Sequence, residues 1–177
     1  MKIRLSLYVL LVSFVFIQIV LMKYAPWFPD IILLMVVFTG IFRGSAEGAA
    51  LGLAAGFFRG CFSVGTIAPD IFLFPAVGAM SSELAGRFYR HNAAAQMLIT
   101  AGSILTVVVS HTLYLNFTSG NDASVFFVIL TSWKYLATTV FISPFLFAFL
   151  KKTLRLKEQI ITKKYIKEKR TGMIRKK

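Results

Sequence analysis

Six long apolar stretches, at residues 5–22, 27–42, 45–58, 71–88, 93–115 and 131–150, restrict what this chain can fold into. A helix needs roughly 20 residues to cross a hydrocarbon core of about 30 Å, and about 17 suffice at the short end. Hydrophobic residues make up 57% of the 177, against about 45–50% in an ordinary soluble domain. The excess sits in these runs, which predicts membrane spans instead of one oversized core. The sequence therefore predicts an all-α integral membrane protein: a compact bundle of six transmembrane helices over residues 1–150, then a basic cytoplasmic tail over residues 151–177. Merging the second and third runs would leave five spans. That merger would strand Arg43 near the bilayer centre, at about 2.5–3.5 kcal/mol on insertion scales, and favours six.

The breaks between runs have physical causes. Pro26 and Pro29 interrupt residues 23–30, with Tyr24, Trp27 and Phe28 placed as interface aromatics. Arg43-Gly44 predicts a tight turn, residues 59–70 an irregular connection containing Gly60, Gly65 and Pro69 into which the third helix can extend as far as Phe62, and residues 116–124 a polar turn. The sixth span is expected to begin near Thr131, with residues 125–130 extending it or lying along the surface. The first run follows Lys2 and Arg4 as a signal peptide would. It is long for a signal core and no small-x-small site follows it, which predicts a retained span.

Charge gives the orientation. Residues 1–150 carry a net +3 and residues 151–177 a net +10, of a total of +13. The expected inner segments hold Lys2, Arg4, Arg43, Arg87, Arg90 and the tail, and the outer loops hold Lys23 and Arg59. The positive-inside rule then predicts that both termini face the cytoplasm. The tail cations, among them Lys151, Lys152, Arg155, Lys157, Lys163 and Lys164, alternate with Leu154, Ile160, Ile161, Tyr165 and Ile166. Two readings stay open: a basic amphipathic helix on anionic lipid, at about 1 kcal/mol per cation, or a tail that only fixes orientation. With the charge explained this way, no nucleic-acid partner is expected.

The most specific pattern is a glycine every fourth residue: Gly40, Gly44, Gly48, Gly52, Gly56 and Gly60. In lipid, helices associate through close backbone approach, which small residues permit. The series is expected either to pack the third span inside the bundle or to dock another protein's helix. Glu47 and Glu83 each lie four residues from an arginine, Arg43 and Arg87, and predict local ion pairs. Asp30 and Asp70 each follow a proline and predict helix caps. His111 reads as a hydrogen-bonded packing residue. The single cysteine, Cys61, permits no internal disulfide and no paired-cysteine site. No catalytic, metal-ligating or phosphate-cradling spacing emerges, which predicts a non-enzyme without a cofactor.

With these motifs in place, the chain resembles the bacterial rod shape-determining MreD family. Trp27-Phe28-Pro29-Asp30-Ile31-Ile32-Leu33-Leu34 is similar to that family's Pro-Asp opening of its second span. Arg43-Gly44, then Gly48-x-x-x-Gly52-x-x-x-Gly56-Phe57-Phe58, is similar to its Arg-Gly and glycine-repeat segment. Leu84-Ala85-Gly86-Arg87-Phe88-Tyr89-Arg90 and Asn92 resemble its short basic hinge, and Pro144 in Ser143-Pro144-Phe145 its last span. Two departures exist: Arg59-Gly60 stands near a position the family usually makes acidic, and the tail is longer. The resemblance covers roughly residues 1–152. It implies a multi-pass scaffold subunit, in the bacterial cytoplasmic (inner) membrane, of the cell-wall elongation machinery that binds the single-span protein MreC. Through MreC it would join MreB filaments to RodA and its penicillin-binding transpeptidase.

A second reading is the substrate-binding S component of an energy-coupling-factor vitamin transporter, whose fold the MreD family is thought to resemble. The discriminating feature would be a polar, aromatic pocket at the outer face. Trp27, Asp70, His111 and Asn116 are the residues expected to contribute to it.

Overall fold

A computed structural model describes residues 2–25, 27–62, 67–87, 92–119 and 124–154. The helices are α1 (Lys2–Tyr24), α2 (Ile31–Arg43), α3 (Ser45–Phe62), α4 (Ile67–Arg87), α5 (Ala93–Ser119), α6 (Val125–Thr131) and α7 (Trp133–Thr153). The described residues contain no strand. Two of the helices are long and apolar enough to cross a membrane, over Ala93–Thr118 and Trp133–Thr153. The second-half tail positions Arg155, Lys157, Lys163 and Lys164 lie outside the described residues, as does the amphipathic-helix reading that depends on them.

The arrangement is organised around α2. Its residues from Leu33 to Phe38 are all fully buried, and α1, α3, α4, α5 and α7 all pack on it. A helix with apolar residues on every side has no face to give to solvent and becomes the centre of the fold. Phe38 and Phe147 of α7 meet with ring centroids 5.6 Å apart, joining the central helix to the last one. The exterior is also apolar: Phe16, Phe57, Phe72, Phe141 and Phe145 are each more than half exposed.

The α3–α4 seam is where the glycines act. A β-carbon added at Gly48 would lie 2.6 Å from the Gly78 carbonyl oxygen. One at Gly52 would strike the Phe74 carbonyl, and one at Gly56 the Asp70 carbonyl. Three glycines one turn apart on α3 thus face three residues one turn apart on α4. Gly40 belongs to α2, and a β-carbon there would also strike the Gly78 carbonyl. Gly44 is the turn itself, at φ +106°, a conformation that strains any residue with a β-carbon. Gly60 is buried near the end of α3. The series is therefore shared by two helices and a turn, and its face is filled by α4.

Two expectations are corrected. The connection over residues 59–70 is largely helical: α3 runs on to Phe62, the full extension allowed for it, and α4 begins at Ile67, four residues before the expected start at Ile71. Pro69 is tolerated there because the first-turn N–H groups of a helix have no intrahelical acceptor. The last span begins as expected, at Trp133, and of the two readings for residues 125–130 the separate one holds: they form α6, none of whose residues is buried, set off from α7 at Ser132. Glu83 and Arg87 are both exposed and, among the described residues, form no ion pair. The Arg43–Glu47 pair does form, at 3.1 Å.

Candidate functional site: a buried ionic network

Asp30 is the hub of the site. Pro29 directly precedes Asp30, which caps α2 by accepting from the Leu33 N–H at 3.0 Å. The same oxygen, Oδ1, accepts from Gln18 Nε2 of α1 at 3.0 Å. Oδ2 accepts from Arg59 Nη1 of α3 at 2.5 Å and from the Tyr135 hydroxyl of α7 at 2.7 Å. A carboxylate has about four lone-pair sites, and here each has a protein donor. The residue is completely buried. A buried carboxylate is tolerable only when paired and hydrogen-bonded in this way.

The surrounding groups lock these donors. Gln18 Oε1 accepts from the Ile32 N–H at 3.0 Å, fixing the amide that serves Asp30. The Asp30 N–H donates to Thr139 Oγ1 at 3.2 Å, and that hydroxyl donates to the Tyr135 carbonyl at 2.8 Å. Arg59 lies over the Phe74 ring, its guanidinium carbon 5.3 Å from the centroid. The guanidinium extends the network to α4, where Nε is 3.5 Å from Asp70 Oδ2. Asp70 Oδ1 in turn accepts from His111 Nε2 of α5 at 2.6 Å. A carboxylate can only accept, so this bond places the ring hydrogen on Nε2. One continuous set of polar contacts thereby ties α1, α2, α3, α4, α5 and α7 together.

Asp30 was expected as a helix cap, and it is one, with three further donors on its carboxylate. Asp70, buried within the first turn of α4, pairs with Arg59 and His111 through its side chain, which corrects its expected capping role. Arg59 was expected in an outer loop and instead lies on α3, with its side chain 24% exposed. Gln18, Tyr135 and Thr139 were not anticipated. A glutamine inside a run as apolar as residues 5–22 was the available signal, since polar side chains in such segments seek partners.

A cavity of about 260 Å³ adjoins the network between α3, α5, α6 and α7. Arg59, His111, Thr112, Ser132 and Tyr135 give it polar groups, and Val107, Val108, Leu115 and Val128 give it apolar walls. Of the residues expected to form a pocket, His111 lines it; Trp27, Asp70 and Asn116 are not among its lining. Among the described residues, no three His, Cys, Asp or Glu side chains are grouped to hold a metal ion.

The remaining motif positions lie elsewhere. Pro29 is buried beside Asp30, while Arg43 lies at the opposite end of α2. Gly86 has open space around it and Arg87 is exposed at the end of α4. Pro144 is inside α7, where it cannot donate to the Val140 carbonyl. The Ser143 hydroxyl donates to that carbonyl at 2.8 Å instead. Lys151 Nζ lies 4.3 Å from the Phe42 ring centroid, and Lys152 is exposed. No protein-family model, curated protein or solved structure matches the chain.

Proposed function

We propose that this chain is a non-enzymatic, multi-pass scaffold of the bacterial cytoplasmic membrane, of the MreD type. In this role it binds MreC and helps organise peptidoglycan synthesis during rod-shaped growth. The observation that carries the reading is the position of Asp30. The Pro29-Asp30 pair leads the resemblance, and Asp30 holds four helices by one carboxylate. A carboxylate whose acceptor sites are all used by protein donors suits a rigid frame better than proton transfer. The apolar exterior supports immersion in lipid, since exposed apolar surface this extensive is uncommon on soluble monomers.

Immersion also gives the network a depth. The 13 residues of α2 span about 20 Å at 1.5 Å per residue, less than the hydrocarbon thickness of about 30 Å. With Arg43 at the cytoplasmic edge, Asp30 lies inside the outer half of the hydrocarbon layer. A charged pair at that depth is expected to be enclosed by the bundle, which agrees with the burial of Asp30. Because α4 fills the glycine face, MreC is assigned to another surface, with RodA, the transpeptidase and MreB reached through the complex. The basic tail orients the chain and approaches anionic lipid.

The test is co-expression with the single-span MreC of the same genome, followed by detergent purification. A stable complex is expected. A well-folded chain that never retains MreC would overturn the scaffold reading. The cavity beside Arg59, His111 and Tyr135 favours one second reading, the S component of a vitamin transporter. A vitamin bound to the purified protein would select it.

A further inference from the structure

The cavity of about 260 Å³ between α3, α5, α6 and α7 meets the ionic network through Arg59, His111 and Tyr135. A guanidinium has five N–H groups. Asp30 accepts from one of those on Arg59, Asp70 lies 3.5 Å from Nε, and the Tyr135 oxygen is within reach of a third. No other described protein group accepts from Arg59, so at least two of its N–H groups are left over. None of its nitrogens is both buried and without a partner, and the side chain, 24% exposed, lines the cavity. The Ser132 hydroxyl also lines the cavity and has no described partner.

Charge decides what these donors would take. Arg59 faces two carboxylates, Asp30 and Asp70, so its positive charge is already offset. Even a second proton on His111 would bring the four groups only to zero. A free anion therefore meets donors but no net positive charge to offset its dehydration. A cation fares worse, because neither carboxylate lines the cavity and the Arg59 side chain does. An uncharged acceptor remains. A carbonyl oxygen has two lone pairs, which matches two leftover N–H groups. Val107, Val108, Leu115 and Val128 form walls suited to an apolar body beside that oxygen. Val128 belongs to α6, none of whose residues is buried, so the cavity is covered there by a helix with little to hold it in place.

We propose that this cavity binds an uncharged carbonyl compound, its oxygen on the Arg59 guanidinium and its apolar body against Val108 and Val128. The site goes beyond the scaffold reading and needs neither MreC nor transport. Retention of MreC tests the scaffold, a co-purified vitamin tests the second reading, and probe binding tests the cavity. The full-length protein is held in nanodiscs and binding is read by fluorine NMR, each probe being corrected for its partition into empty nanodiscs. Four probes share one fluorinated ring. The para-fluoro derivative of acetophenone carries the carbonyl, that of ethylbenzene lacks it, that of benzoate is an anion and that of benzylammonium a cation. Losing a hydrogen bond to a charged group lowers affinity about tenfold or more.

The acetophenone probe is expected to bind about tenfold or more tightly than the other three. Val128→Trp, which fills the cavity from a position outside the ionic network, should abolish that binding. Arg59→Met should lower it to the level of the ethylbenzene probe. Should Arg59→Met fail to fold, the wild-type series and Val128→Trp decide alone. Lipid esters and dissolved compounds both supply such a carbonyl. Weaker probe binding in ester-linked than in ether-linked nanodiscs would identify a lipid ester as the native occupant, and equal binding a dissolved one. Either charged probe binding as tightly as the acetophenone overturns the proposal. So does equal binding of the acetophenone and ethylbenzene probes, or acetophenone binding unchanged in Val128→Trp.

Discussion

Replacing Asp30 with alanine removes the acceptor for Gln18, Leu33, Arg59 and Tyr135 together. Breaking a buried ion pair by deleting one partner destabilises by about 3–5 kcal/mol. Losing an N-cap adds about 1 kcal/mol. Arg59 keeps a second carboxylate, Asp70, 3.5 Å from Nε, so the lower end of the first range applies. The expected loss is about 4 kcal/mol, a large part of the roughly 5–15 kcal/mol that holds a typical domain together. Asp30→Asn keeps an oxygen for the cap and should lose about half as much. The assay is unfolding in mixed micelles with rising SDS, followed by far-ultraviolet circular dichroism. Arg59→Met should be destabilising alone, yet the Asp30→Ala/Arg59→Met pair should lose about 2–3 kcal/mol less than the two changes summed, because neither charge is then stranded. Glu47→Gln, at the far end of α2, is the control and should add to Asp30→Ala within about 0.5 kcal/mol. Additivity of Asp30→Ala with Arg59→Met to the same tolerance would refute the hub.

The seam and the proline give two further tests. Gly48→Ala places a methyl 2.6 Å from a backbone oxygen and should lower stability by about 1–3 kcal/mol. Gly102→Ala, in open space within α5, should raise it by about 0.5–1 kcal/mol, and matching signs in thermal melts would disprove the seam. Ser143→Ala should lose about 1 kcal/mol by uncovering the Val140 carbonyl. In a Pro144→Ala background that loss should largely vanish, since the alanine N–H reaches the same carbonyl; an unchanged loss would show the hydroxyl has another role.

The legible parts of the site were those with local signatures. Asp30 after Pro29 reads as a cap, because capping involves residues only three apart in sequence. Arg43–Glu47 reads as a pair for the same reason, since an i,i+4 spacing on one helix brings the side chains together. Glu83–Arg87 has that spacing and makes no bond among the described residues. At exposed positions a local pair contributes only about 0–1 kcal/mol, too little to fix two long side chains.

Composition and period alone determined that this chain is helical, apolar outside as well as inside, and built on close glycine packing. These depend on hydrophobic runs and on spacings along a single helix. Which residues the glycines meet, and that Arg59 belongs inside the bundle, were decided only by the tertiary structure. Gly78, Phe74 and Asp70 become partners of Gly48, Gly52 and Gly56 through the pairing of α3 with α4. Asp30 and Tyr135 are 105 residues apart. A charge in an apolar run is read as a chain break until a partner from a distant helix is seen to neutralise it. For Arg59 two such partners exist, and their carboxylates allow the helix to continue through the charge.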